Sequence, residues 1–158
     1  MRTDYKLVSK DELTATIKDS GIKTWNELIQ FIKELPYGRN SNRTEFRLVI
    51  IEKKGSCRSK HALLKKIADL NGIQNVKLVL GIYKMNQQNT PNIGNVLLEN
   101  DIEFMPEAHC YLKIDEKRID ITTNNSDFDK IERDILNELE IEPEQELRNL
   151  KLTITRSF

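Results

Sequence analysis

The sequence predicts an α+β domain in which a cysteine-bearing helix packs on a small, mainly antiparallel sheet. Two observations carry this. Apolar residues recur at helical spacing behind capping residues in three stretches before residue 73, and short apolar runs bounded by turn residues follow. No repeat, low-complexity tract or Gly/Ser linker divides the 158 residues, so one domain over 1–158 is expected, long enough to bury a core without staples.

In chain order, Asp11 to Asp19 reads as a first helix and Thr24 to Leu35 as a second. Thr24 is its N-cap, Glu27 completes a capping box, and Trp25, Leu28, Phe31 and Ile32 share one apolar face. Pro36 ends that helix, and PYGRNSNR (36–43) is polar turn chemistry. Phe46 to Ile51 reads as a short strand. A third helix runs from Ser56 to Asn71, closed by Gly72. Val76 to Tyr83 is a near-continuous apolar run, hence a buried strand. Residues 84–108 read as a long irregular loop with one short helix near Val96–Glu99, and long ordered loops are often functional. His109 to Ile114 and Arg118 to Thr122 form a hairpin through Asp115-Glu116-Lys117. Asp127 to Glu140 has the pattern of an amphipathic helix, and the closing LRNLKLTITRSF fits a strand or a helix end.

No apolar run approaches the ~18 residues of a membrane span, and MRTDYKLVSKDELTATIKD lacks the apolar core of a signal peptide. With two cysteines, the expectation is a reducing, cytoplasmic setting, no membrane partner and no structural disulfide. Net charge is zero but uneven: residues 1–79 hold 16 Lys/Arg against 9 Asp/Glu, and residues 80–158 hold 9 against 16. The positive excess includes Lys53, Lys54, Arg58, Lys60, Lys65 and Lys66. No aromatic residue lies between Phe46 and Tyr83, so the cluster reads as a solvated helix face, and no nucleic-acid partner is expected.

Gly55-Ser56-Cys57 sits where a turn hands over to the third helix. Unsatisfied N–H groups and the positive helix end favour a thiolate there, as do Lys54, Arg58 and Lys60. Such sites lower a thiol from about 8.5 into roughly 3.5–7.5, and the same N–H groups suit an oxyanion. His61, Leu64 and Ala68 lie within about 40° of Cys57 around the helix, which turns the thiol toward the sheet. His61 has no carboxylate nearby in sequence to orient it and reads as a packing or supporting residue.

His109 is the better base. Ile119 and Ile121 alternate inward, so Asp120 shares a face with Arg118 and Thr122. A two-residue turn makes His109 and Asp120 diagonal neighbours on one face; a three-residue turn spoils that parity. Cys110 should point away from His109. That argues against a four-ligand zinc site with Cys57 and His61, so no metal or other cofactor is expected.

Gly55-Ser56-Cys57 with Ala62, Leu63 and Leu64 behind it, then His109 with Tyr111, then Asp120-Ile121-Thr122, resembles the transglutaminase-like core of the papain-like superfamily. The resemblance covers about residues 36–124, with the motifs in the family order. It implies Cys57 as nucleophile, His109 as base, Asp120 as orienter, and thioester chemistry on an amide. Tyr111 stands where the family commonly has Trp. Neither an acidic calcium loop nor room for flanking β-sandwich domains is present, so calcium dependence and protein crosslinking are not expected to carry over. Ser56, Asn40, Asn42 and Arg43 are the oxyanion or substrate candidates, against a bland reading of 40–43 as a polar turn.

The leading expectation is therefore a thiol-dependent acyl-transfer enzyme, an amidase, peptidase or transferase, acting on a peptide, protein or small amide. The alternative is a catalytically silent module of the same fold that binds a peptide or protein through the groove near residues 84–108. A third reading, nucleic-acid binding through Lys53–Lys66, would show steep salt dependence.

Overall fold

Each longer helix begins where the sequence supplies a cap. In the computed structural model, which describes residues 4–145, Asp11 caps α1 (Glu12–Asp19) by accepting the Thr14 N–H. Thr24 and Glu27 close the reciprocal box on α2 (Trp25–Glu34). A one-turn helix, α3 (Leu48–Ile51), leads to α4 (Cys57–Leu70), where Ser56 and Ser59 cap one another. Asn71 closes α4 and Gly72 follows at φ +66°, a left-handed conformation that glycine adopts without a Cβ clash. A short α5 (Val96–Glu99) lies between the first two strands.

The strands are β1 (Val76–Met85), β2 (Met105–Ile114), β3 (Lys117–Ile119) and β4 (Ile135–Ile141), in the order β3-β2-β1-β4, with every neighbouring pair antiparallel. The fold is α+β, with the cysteine-bearing α4 laid across β1 and β2. Between β2 and β3 the turn has two residues: Ile114 pairs with Lys117, and Asp115 and Glu116 both take positive φ (50° and 65°). That is the primed turn whose twist suits a hairpin.

The sheet buries both faces. Leu78, Leu80, Ile82, Leu112 and Ile114 meet Leu63, Leu64 and Ile67 of α4, and the core continues into Ile17, Trp25, Leu28 and Ile32. On the other face Val79 and Tyr111 pack on Phe128, with the two rings 4.6 Å apart. A carboxylate finishes this face: Glu138 of β4 accepts from Tyr111 Oη at 2.5 Å, Lys113 Nζ at 2.9 Å and Arg118 Nε at 2.7 Å.

Two expectations are corrected. Residues 46–51 are a turn and α3, not a strand: Phe46, Val49 and Ile50 lie at i, i+3 and i+4 and turn inward, while Ile51 is exposed. Residues 127–140 are not an amphipathic helix but two 3-10 turns (Phe128–Lys130 and Glu132–Asp134) followed by β4. The apolar spacing of Ile131, Ile135 and Leu139 fits either period. The open edge of β1 decides, because pairing satisfies its backbone groups and places Glu138 over Tyr111. The stretch LRNLKLTITRSF lies outside the described residues. Among those described, no helix is long and apolar enough to cross a membrane.

Gly81 lies under the Tyr111 ring, where a Cβ would meet Tyr111 Oη at 2.6 Å and Cε1 at 2.7 Å. Gly81→Ala must therefore displace the ring from Glu138, and a loss of about 1–3 kcal/mol is expected in urea unfolding. An unchanged midpoint would contradict this packing.

Candidate active site

Short β3 sets the geometry. It pairs only with Leu112 to Ile114, so the β2 edge at His109–Tyr111 has no strand beside it among the described residues. The first turn of α4 comes in here. The backbone of Gly55 reaches this point already clipped to the preceding loop, since its N–H donates to Pro36 O and its carbonyl accepts from Gly38 N–H.

The Cys57 thiol lies close to three groups that act on it: the Cys110 thiol, the Cys110 backbone and the His109 ring. His109 Nε2 is bonded to Asp120 Oδ2 at 2.7 Å, which leaves Nδ1 for the sulfur. Asp120 Oδ1 accepts from Thr122 N–H at 2.9 Å and from Thr122 Oγ1 at 2.6 Å, so the carboxylate that orients the histidine is itself held. The structure thus brings Cys57 beside a hydrogen-bonded His109–Asp120 pair. The hairpin has the two-residue form in which His109 and Asp120 are diagonal neighbours.

Charge follows from these contacts. The Cys110 bond pushes Cys57 well below the ordinary thiol value; burial opposes, and the His109 bond and charge add to the lowering. Burial disfavours a charged His109, but the Asp120 bond and the Cys57 sulfur outweigh it and push the imidazole up to about 10. Burial would raise Asp120, yet its bond to His109 and that ring's charge hold it well below the usual carboxylate range. Both directions favour a thiolate on Cys57 and an imidazolium on His109.

His61 is fully buried and spans the site. Its Nδ1 is 2.7 Å from the Cys57 carbonyl and its Nε2 accepts the Ile121 N–H at 2.9 Å. Those partners require a neutral ring with the proton on Nδ1, and burial lowers its basicity in the same direction. His61 therefore ties the Cys57 backbone to the residue after Asp120. Lys60 is also buried, donating to the carbonyls of Leu35 and Thr122.

The other sequence candidates have local partners. Ser56 Oγ accepts the Ser59 N–H at 3.2 Å and its own N–H donates to Ser59 Oγ at 2.9 Å. This box does not engage the N–H groups of Cys57 and Arg58. Asn40 Nδ2 donates to Glu52 and to the Lys54 carbonyl, both at 3.0 Å, and pins the loop. Asn42 Oδ1 accepts from Thr44 within its own turn, and Arg43 is exposed. None of these four side chains is joined to the thiol.

A cleft of about 250 Å³ opens beside His109 and Asp120, walled also by Tyr83, Asn89, Ser126 and Lys130. Burial raises the Tyr83 phenol, so it stays a donor. Asn89 holds the wall by donating to Lys84 O and Asp134 Oδ2, both at 2.8 Å. Sequence reasoning placed Asn89 only within a long loop, missed Lys130 because it assigned 127–140 to a helix, and left Ser126 in the unassigned stretch before that helix. It also missed the contact between Cys57 and Cys110. Face alternation does turn Cys110 from His109, but it turns it toward α4. Among the described residues no group of three or more His, Cys, Asp and Glu side chains is arranged to hold a metal ion.

Comparison with protein-family models, with curated proteins and with solved structures finds no match to this chain.

Alkylation of Cys57 by iodoacetamide, followed against pH, should have a midpoint well below about 8.5. His109→Ala removes the positive partner, so the midpoint should rise toward that value. A wild-type midpoint near about 8.5 that His109→Ala leaves in place would contradict the ion pair.

Proposed function

We propose that this chain is a thiol-dependent acyl-transfer enzyme, an amidase, peptidase or transferase, that passes through a thioester on Cys57. The observation that carries the reading is that half-buried Cys57 meets a His109–Asp120 pair, and that His109 and Asp120 line an open cleft. A silent module would be expected to bury the sulfur and close that space. The transglutaminase-like resemblance implies the same three roles, and a papain-like arrangement of helix and sheet belongs to this reading.

The chemistry follows from the resting charges. The thiolate of Cys57 attacks an amide carbonyl carbon, and the carbonyl π pair moves onto oxygen, toward the N–H groups of Cys57 and Arg58 at the start of α4. As the oxyanion collapses, the C–N bond breaks and the His109 imidazolium gives its Nδ1 proton to the leaving amine. Water or a second amine then attacks the thioester. His109 takes a proton from it, the C–S bond breaks, and the sulfur departs as thiolate. Asp120 stays ionised throughout and holds His109 by Nε2.

A second reading, peptide or protein binding without turnover, is favoured by one observation. Val96, Leu98, Ile102 and Met105 are 56%, 75%, 42% and 45% exposed on the loop that leads into β2. The two readings diverge in one experiment. Wild type, Cys57→Ala and His109→Ala are incubated with a mixed peptide library and with thiol-directed acyl electrophiles, and read by intact mass and product amines. The expected result is acylation of Cys57 and amine release, both abolished by Cys57→Ala and slowed about 10²–10⁴-fold by His109→Ala. Peptide capture with neither acylation nor release in the wild type would overturn the enzymatic reading and leave the binding one.

A further inference from the structure

Cys110 is not used by the acyl-transfer reading, yet it touches the reactive sulfur. It is 1% exposed and lies on the α4 side of β2 within the main core, against which Cys57 packs, close enough for its thiol to act on that of Cys57. Two sulfurs from different elements, 53 positions apart in sequence, meet at the point where α4 abuts the open edge of β2. Their exposures differ, and that orders their reactivity. Cys57 is half-buried, whereas Cys110 is closed to solvent. Arg58 supplies positive charge to both sulfurs.

We infer that Cys57 and Cys110 form a peroxide-responsive thiol pair, in which Cys57 is oxidised first and Cys110 resolves it to an intramolecular disulfide. In the first step the Cys57 thiolate attacks a peroxide oxygen, the O–O bond breaks, and the products are a Cys57 sulfenic acid and hydroxide. In the second, the Cys110 sulfur attacks the Cys57 sulfur, the S–O bond breaks, and the hydroxyl leaves as water with the proton that Cys110 gives up. Peroxide is reduced by two electrons and the two thiols are oxidised by two. Contact between the sulfurs before reaction means that the bond, at ~2.05 Å, forms by a local shift of the first turn of α4.

A closed pair has no nucleophile, so the same step shuts the proposed acyl transfer and a dithiol reductant reopens it. The inference does not need amide turnover. It needs only a reactive Cys57 with Cys110 beside it.

The test uses the intact chain with hydrogen peroxide at a few molar equivalents, under non-reducing conditions and at dilute protein. Intact mass and peptide mapping read the product. The wild type should lose two hydrogen masses and both titratable thiols, yield a Cys57–Cys110 linked peptide, and recover fully in dithiothreitol. Cys110→Ser should instead form a dimedone-reactive sulfenic acid on Cys57 that proceeds to irreversible sulfinic acid. Cys57→Ser should keep its Cys110 thiol. If the wild type gains two oxygen masses on Cys57 as fast as Cys110→Ser does, with no linked peptide, the pair is overturned. That readout in the wild type stands even if a variant fails to fold.

Discussion

The register of the β2–β3 hairpin rests on Asp115 and Glu116, whose left-handed backbone closes a turn of two residues. Because side chains alternate faces along a strand, one residue more in that turn would send Asp120 to the opposite face from His109. The same hairpin stops pairing at Leu112, which leaves the β2 edge open where α4 begins. One local choice of turn therefore determines both halves of the site: the carboxylate behind the histidine and the gap through which the thiol reaches it.

Around this register the chain pairs a set of buried polar groups. Thr122 fixes Asp120 with two hydrogen bonds, His61 joins the Cys57 carbonyl to the Ile121 N–H, and Lys60 reaches the Thr122 carbonyl from α4. Buried polar groups are costly when unpaired, so this set of bonds resists sliding of α4 along the sheet more strictly than apolar contact alone. Of the six clustered cations, Arg58, Lys60, Lys65 and Lys66 are engaged by the chain itself. They bond the carbonyls of residues 143 and 145, those of Leu35 and Thr122, Asp69 and Glu144 respectively. What reads in sequence as one basic face is divided among separate structural bonds.

Much of the fold is legible where local chemistry is strong. Thr24 with Glu27 marks the start of α2, Ser56 and Gly72 bracket α4, and the apolar run from Val76 gives the central strand. Reading fails where an element is defined by a distant partner. Residues 46–51 have the composition of a strand but no neighbour to pair with, and 135–141 have a helix-compatible spacing yet fill the vacant edge of β1. Of the site, the alternation of Arg118, Asp120 and Thr122 places Asp120 beside His109 only once the turn has two residues, a register the sequence leaves open. The meeting of Cys57 with Cys110 needs the docking angle of α4 on the sheet, which no local pattern encodes.

The central claim is that the resting site holds a thiolate on Cys57 and an imidazolium on His109, braced by Asp120. Imidazole ¹⁵N NMR tests it most directly, since the two histidines report opposite states in one sample. His109 should show both nitrogens protonated through neutral pH and lose its proton only near 10, while buried His61 stays neutral with its proton on Nδ1. A His109 that titrates at the ordinary histidine value of about 6.5, and is neutral at pH 8, would contradict the account.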